Sequence, residues 1–95
     1  MIISTAHIDT EDGARIVKRL CNHWKHKFEI SEINGKFAIP FPEAQVLLEA
    51  TPVQILMHIK SQTADLIEKY QKVVVDHLNR MAQQEFKTQW VTTPV

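Results

Sequence analysis

Hydrophobic and polar residues recur with two different periods along the chain, and the change of period predicts the order of elements. Residues 2–8 are rich in β-forming side chains and partly alternate, which predicts a first strand. Thr10 then offers an N-cap, with Glu11 and Asp12 in the first turn, so a first helix is predicted over roughly residues 10–25. Its apolar stripe, at spacings of one, three and four, consists of Ala14, Val17, Leu20, Cys21, Trp24 and Phe28.

The middle of the chain alternates between apolar and polar residues and contains several turn signals. Asn34-Gly35 lies between two alternating runs and indicates a tight hairpin, because both residues tolerate positive φ. Pro40 and Pro42 end the returning strand, and Thr51-Pro52 turns the chain again. The pattern therefore predicts a meander of four short antiparallel strands.

A second helical stripe and a final β-rich stretch complete the chain. Residues 63–84 carry the helical stripe and residues 86–91 are predicted to form the last strand. The stripe consists of Ile67, Tyr70, Val74, Leu78, Met81 and Ala82. The order βαββββαβ implies an α+β fold, a two-layer sandwich whose two helices pack on one face of an antiparallel sheet. Residues 1–95 are predicted to be a single domain, which suits a chain of this length.

Composition narrows the classes of protein that need to be considered. Eleven basic residues balance eleven acidic ones, which disfavours nucleic-acid binding. Cys21 is the only cysteine, so no intramolecular disulfide can form and a reducing compartment is favoured. The sequence contains no apolar run long enough to span a membrane and no signal peptide pattern, and we therefore expect a cytoplasmic protein.

Three stretches of the sequence carry a family resemblance. The distinctive one is Leu-Cys-Asn-His-Trp-Lys-His-Lys at residues 20–27; the others are residues 35–50 and residues 75–82, with Trp90 later. Together they resemble the bacterial family filed as domain of unknown function 2218, over nearly the whole chain. Members of that family occur beside or fused to flavin-dependent siderophore-interacting reductases, so the resemblance implies a connection with iron or siderophore metabolism.

Cys21, His23, His26 and His77 are the candidate ligands for a metal ion such as iron or zinc. On a regular helix Cys21 points into the apolar stripe while His23 and His26 point away from it, so these three cannot converge on one ion. His23 and His26, three residues apart, share a helix face and could bind an ion together. Cys21 is equally explained as a small core residue, and the two histidines as favourable charges at a helix C-terminus. His77 should be at least half buried, either as a hydrogen-bonded core histidine or as a partner of His26 where the helices pack.

The first helix also carries a basic face without acidic residues. This face could bind a small anion, a ferric siderophore or an acidic protein partner, since arginines pair with carboxylates and phosphates through two parallel hydrogen bonds. A solvated face paired with nearby glutamates is the alternative. The candidate ligand-binding residues are Arg15, Arg19, His23, His26, His77 and Arg80.

The sequence contains no recognisable catalytic motif, and a thiol that points into the core, as predicted for Cys21, is a poor nucleophile. We therefore favour a non-catalytic binding or accessory module. A metal-binding or redox accessory protein is one alternative. The other is a structural homodimer, because Ile33, Leu47 and Leu56 interrupt the polar alternation on the sheet face away from the helices.

Overall fold

The computed structural model describes residues 1–94, which form one antiparallel sheet of six strands and two helices. Val95, the last residue of the predicted domain, lies outside the described residues. The order βαββββαβ predicted from the sequence is confirmed. The elements are β1 (Ile2–Asp9), α1 (Gly13–Trp24), β2 (Ser31–Ile33), β3 (Lys36–Phe41), β4 (Ala44–Ala50), β5 (Gln54–Ser61), α2 (Ala64–Ala82) and β6 (Val91–Pro94).

The sheet has the strand order β2-β3-β4-β5-β1-β6. Its first four strands are the predicted meander, in which each strand pairs with the next along the chain. The N-terminal strand β1 then pairs along the whole of β5, from Ile2 opposite Ser61 to Asp9 opposite Gln54. Strand β6 pairs with the other edge of β1. The first strand of the chain is therefore an interior strand of the sheet.

The core lies between the two helices and one face of the sheet. Alternate residues of β4 and β5 are buried, as expected for strands that pack on one face only. In α1 the buried stripe includes Ile16, whereas the predicted member Ala14 is exposed. The largest fully buried side chains are those of Ile16, Leu20, Ile39, Leu48, Ile55, Met57, Ile59, Ile67, Leu78, Val17, Val46 and Val74.

Helix α1 begins three residues later than the sequence pattern predicts, and Thr10 does not cap it. The backbone N–H of Thr10 donates to the carbonyl of Val53 at 3.0 Å, so Thr10 extends the pairing between β1 and β5. Its hydroxyl accepts from the N–H of Asp12, which closes a local turn before the helix. Gly13 opens the helix where space is tight, because a Cβ there would lie 3.0 Å from Cγ1 of Ile55.

The predicted hairpin is confirmed, with positive φ at Asn34 (54°) and Gly35 (80°). Of the two prolines predicted to end strand β3, the strand continues through Pro40 to Phe41 and ends before Pro42. Strand β2 pairs only with residues 36–38, so at Pro40 strand β3 is the edge of the sheet. The missing N–H of a proline is tolerated at such an edge.

The C-terminal part of the chain differs from its prediction in one respect. Helix α2 begins after Thr63, whose side chain accepts from the N–H of Leu66, and ends before Gln83 in the left-handed conformation. The last strand is Val91–Pro94, not residues 86–91. Its extent follows from its partner, since Val91 pairs with Thr5 and the chain before it lies outside the sheet.

Candidate functional site

Two histidines from different helices meet beside a buried tryptophan. His23, in the last turn of α1, and His77, in α2, have ring centroids 5.7 Å apart. The ring of Trp24 lies 4.9 Å from that of His77 and 5.1 Å, edge to face, from that of Phe41. We call His23, Trp24 and His77 the helix-end cluster. The sequence pointed to His77 as a possible site residue with His26, whereas the residue that contacts it is His23.

Hydrogen bonding fixes the orientation of the His77 ring. Its Nδ1 lies 2.7 Å from the carbonyl oxygen of Val73, one turn earlier in α2. A carbonyl can only accept, so Nδ1–H is the donor and the neutral ring keeps its lone pair on Nε2. The side chain is half buried, as the sequence pattern predicts, and His23 is exposed. The cluster thus combines the hydrogen-bonded imidazole of His77 with the solvent-exposed imidazole of His23.

Within the described residues, Cys21 and His26 do not converge with His23 and His77. Cys21 is buried in the core, and burial, with a smaller contribution from the charge of Glu32, raises the pKa of its thiol to about 11. His26 is exposed in the turn that follows α1, because the helix ends at Trp24. Among residues 1–94, no group of three or more His, Cys, Asp or Glu side chains could hold a metal ion.

The arginines expected to bind an anion have partners within the protein or lie at its surface. The Arg15 guanidinium pairs with Asp12 at 3.2 Å, and Nη1 of Arg19 donates to the backbone carbonyl of Met81 at 3.2 Å. Arg19 therefore joins α1 to the C-terminal end of α2, where free carbonyls favour a cation. Arg80 is exposed in the last turn of α2.

A second candidate site lies on the opposite face of the sheet, which neither α1 nor α2 covers. It is a groove of about 670 Å³, which we call the open-face groove. Leu47 and Leu56 project into it from neighbouring strands, and Val91 of β6 closes one side. The full lining is Thr5, Ala6, His7, Lys36, Leu47, Leu48, Glu49, Leu56, Met57, His58, Gln89 and Val91.

Strand register sets the arrangement of polar groups around these leucines. His58 lies between Thr5 on β1 and Leu47 on β4, and Leu56 lies between His7 and Glu49. Partial burial lowers the pKa of His58, and the neighbouring charge of Lys60 lowers it further. His58 is therefore neutral at pH 7, able to donate one hydrogen bond and to accept another.

The sequence pattern had placed Leu47 and Leu56 on the face away from the helices, but it did not indicate a groove there. His7 and His58 were not recognised as candidate site residues. The available signal was their outward position in the period-two alternation. What was missing was the pairing of β1 with β5, which joins residues far apart in the chain, such as His7 and Leu56, 49 positions apart.

The fold defines the class: a small two-layer α+β domain with one open sheet face. Residues 5–91 match the family described as an uncharacterised protein conserved in bacteria, DUF2218. The chain belongs to this family, as the resemblance in its sequence implied.

A solved relative supports the same fold. The NMR structure of PA4090 from Pseudomonas aeruginosa is similar to this chain with a TM-score of 0.82 and 41% sequence identity, and the match covers 96% of each chain. The comparison with curated proteins gives no match. Neither helix in residues 1–94 has the length and apolar character needed to cross a membrane.

Proposed function

We propose that this protein is a non-catalytic binding module that holds a small, largely apolar organic molecule in the open-face groove. The observation that carries the proposal is the groove itself, about 670 Å³, with the half-buried Leu47 and Leu56 and the exposed Val91 along it. Sites for small molecules have volumes of roughly 300–1,000 Å³ and combine apolar walls with a few polar groups.

The polar groups of the groove restrict the chemistry of its ligand. His7, His58 and Gln89 can each form directed hydrogen bonds. Lys36 and Glu49 lie opposite each other across β3 and β4, so their charges offset one another. A ligand with an uncharged apolar body and one or two hydrogen-bonding groups fits this lining better than a highly charged one.

The groove is a stronger candidate than the basic face of α1. Arg15 pairs with Asp12, whose charge offsets its own, and Arg19 uses one donor on the carbonyl of Met81, so neither arginine is wholly available to an anion. A small anion or a ferric siderophore on Arg15, Arg19, His23, His26 and Arg80 stays the alternative, as does an acidic protein. A connection with iron metabolism rests on the family resemblance alone.

The single cysteine bears on both the chemistry and the cellular location of the module. The Cys21 thiol is buried, and its pKa of about 11 keeps it protonated at pH 7, so it is a poor nucleophile, in keeping with a non-catalytic role. A single free thiol suits a reducing compartment, and we place the module in the bacterial cytoplasm.

A second copy of the chain is the other candidate occupant of the open sheet face. Ile33 and Val91 are 68% and 64% exposed, and both lie on the open sheet face at either side of the groove. Two such faces could pack together in a homodimer. The concentration dependence of the molecular mass, measured by light scattering, distinguishes a dimer from a monomer that binds a small ligand.

The binding proposal is tested with 8-anilinonaphthalene-1-sulfonate and a library of small apolar molecules. Binding is followed by fluorescence and by changes in the amide NMR spectrum. Leu56→Glu places a charge in the groove without altering the core, and we expect it to abolish binding. Val53→Glu is the matched control, because Val53 is 62% exposed in a turn outside the groove. Binding that survives Leu56→Glu, or a library without any ligand for the groove, would contradict the proposal.

A further inference from the structure

The helix-end cluster has the features of a metal site with two protein ligands. His23 and His77 come from separate helices, with ring centroids 5.7 Å apart. A ring nitrogen lies about 1.2 Å from its centroid and binds Zn²⁺ at about 2.0–2.1 Å, so two imidazoles on one ion have centroids roughly 5–6.5 Å apart. The observed separation falls within this range without any movement of the helices.

The hydrogen bond of His77 prepares it for this role. Histidines that bind metals commonly donate their other ring N–H to a carbonyl or carboxylate, which fixes the ring and its tautomer. The bond from Nδ1 of His77 to the carbonyl of Val73, at 2.7 Å, is such an arrangement. Trp24 packs against the same ring at 4.9 Å and restricts its rotation further. His23 is exposed, so its ring can turn a nitrogen toward the ion.

We propose that His23 and His77 bind a divalent transition-metal ion, with Cu²⁺ held more tightly than Zn²⁺. Imidazole nitrogen suits both ions, and the preference follows the general order of affinities of such ligands. Two protein ligands leave coordination positions for water or for donor atoms of another molecule. The site lies on the helical side of the sheet and is independent of the open-face groove.

The charged residues three or four positions from the two histidines along their helices are Arg19, one turn before His23 in α1, and Arg80, one turn after His77 in α2. These cations disfavour a bound dication, and an anionic co-ligand in the open positions would offset them.

The test is a titration of the tag-free protein with Cu²⁺ and with Zn²⁺. Binding is measured by calorimetry and from the NMR signals of the five histidine rings. We expect one ion per chain and selective broadening of the His23 and His77 signals by Cu²⁺. His23→Ala and His77→Gln should each weaken binding by roughly tenfold or more. The matched controls His26→Ala and His58→Ala should retain the affinity of the unmodified protein.

His23 is exposed, so His23→Ala tests the proposal even if His77→Gln perturbs folding, which the amide spectrum would report. Full affinity in the His23→Ala protein would overturn the proposal. Loss of affinity in His26→Ala would also overturn it, because the ion would then be bound in the turn after α1. The outcome of the metal titration does not bear on the groove proposal, because the groove is tested by Leu56→Glu, which changes neither His23 nor His77.

Discussion

Leu47 and Leu48 are neighbours on β4 whose side chains lie on opposite faces of the sheet, and truncating each should have very different effects. Leu48 is 0% exposed within the core. Leu48→Ala removes its buried methyl groups and leaves a cavity, so we expect a loss of about 3 kcal/mol, within the usual 2–5 kcal/mol. Leu47 is half buried in the open-face groove. Leu47→Ala loses only part of one side chain's burial, about 1 kcal/mol or less.

The difference is large enough to measure by two methods. For a domain of this size each kcal/mol shifts Tm by about 4–8 °C, so Leu48→Ala should lower Tm by roughly 12–24 °C. Urea unfolding followed by circular dichroism gives the two free energies directly, provided that the slope with denaturant stays the same. Measurements at two protein concentrations separate the stability of the chain from that of an assembly.

Equal losses for the two variants, independent of concentration, would refute the assignment of Leu47 to an uncovered face. A Leu47→Ala effect that increases with protein concentration would indicate instead that a second copy covers the groove. The same experiment therefore tests the register of β4 and distinguishes a free groove from a homodimer interface.

Three further predictions concern a cap, a turn and a buried thiol. Thr63→Ala removes the side-chain cap of α2 and should cost about 1 kcal/mol in urea unfolding, whereas Thr63→Ser should cost little. Gly35→Ala, at φ +80°, should lower stability by about 1 kcal/mol, seen as a lower Tm. The pKa of Cys21 is raised to about 11, so the unfolded chain ionises first. Unfolding free energy should therefore decrease more between pH 9 and 11 than in Cys21→Ala, and equal pH dependence in the two proteins would contradict the assignment.

Local patterns in the sequence were sufficient to predict the element order. The meander follows from alternation and from Asn34-Gly35, whose positive φ values the structure confirms. The predicted start of α1 was wrong because Thr10 suits both a helix cap and a turn after a strand. What decides between them is the hydrogen bond from Thr10 to Val53, a contact across 43 residues that no local pattern reveals.

The candidate sites were harder to predict for the same physical reason. The helical angles correctly separate Cys21 from His23 on α1, but they continue to His26 only if the helix does. The helix ends at Trp24, so His26 lies in the following turn and His23 is left beside α2. The exact end of α1 thus decides which histidine meets His77.

The position of β1 explains why the chain has two separate candidate sites. By pairing with β5, β1 places His7 beside Leu56 and extends the open face by one strand, and β6 then supplies Val91 at its rim. The helices leave this face uncovered because both pack on the other one, where their ends bring His23 and His77 together. The same topology that leaves the groove open therefore separates it from the histidine pair by the thickness of the sheet. We therefore expect the two sites to be independent. Leu56→Glu should leave the NMR signals of His23 and His77 unchanged, and His23→Ala should leave those of the groove residues unchanged. A ligand that altered the signals of both sites at once would have to act through the core.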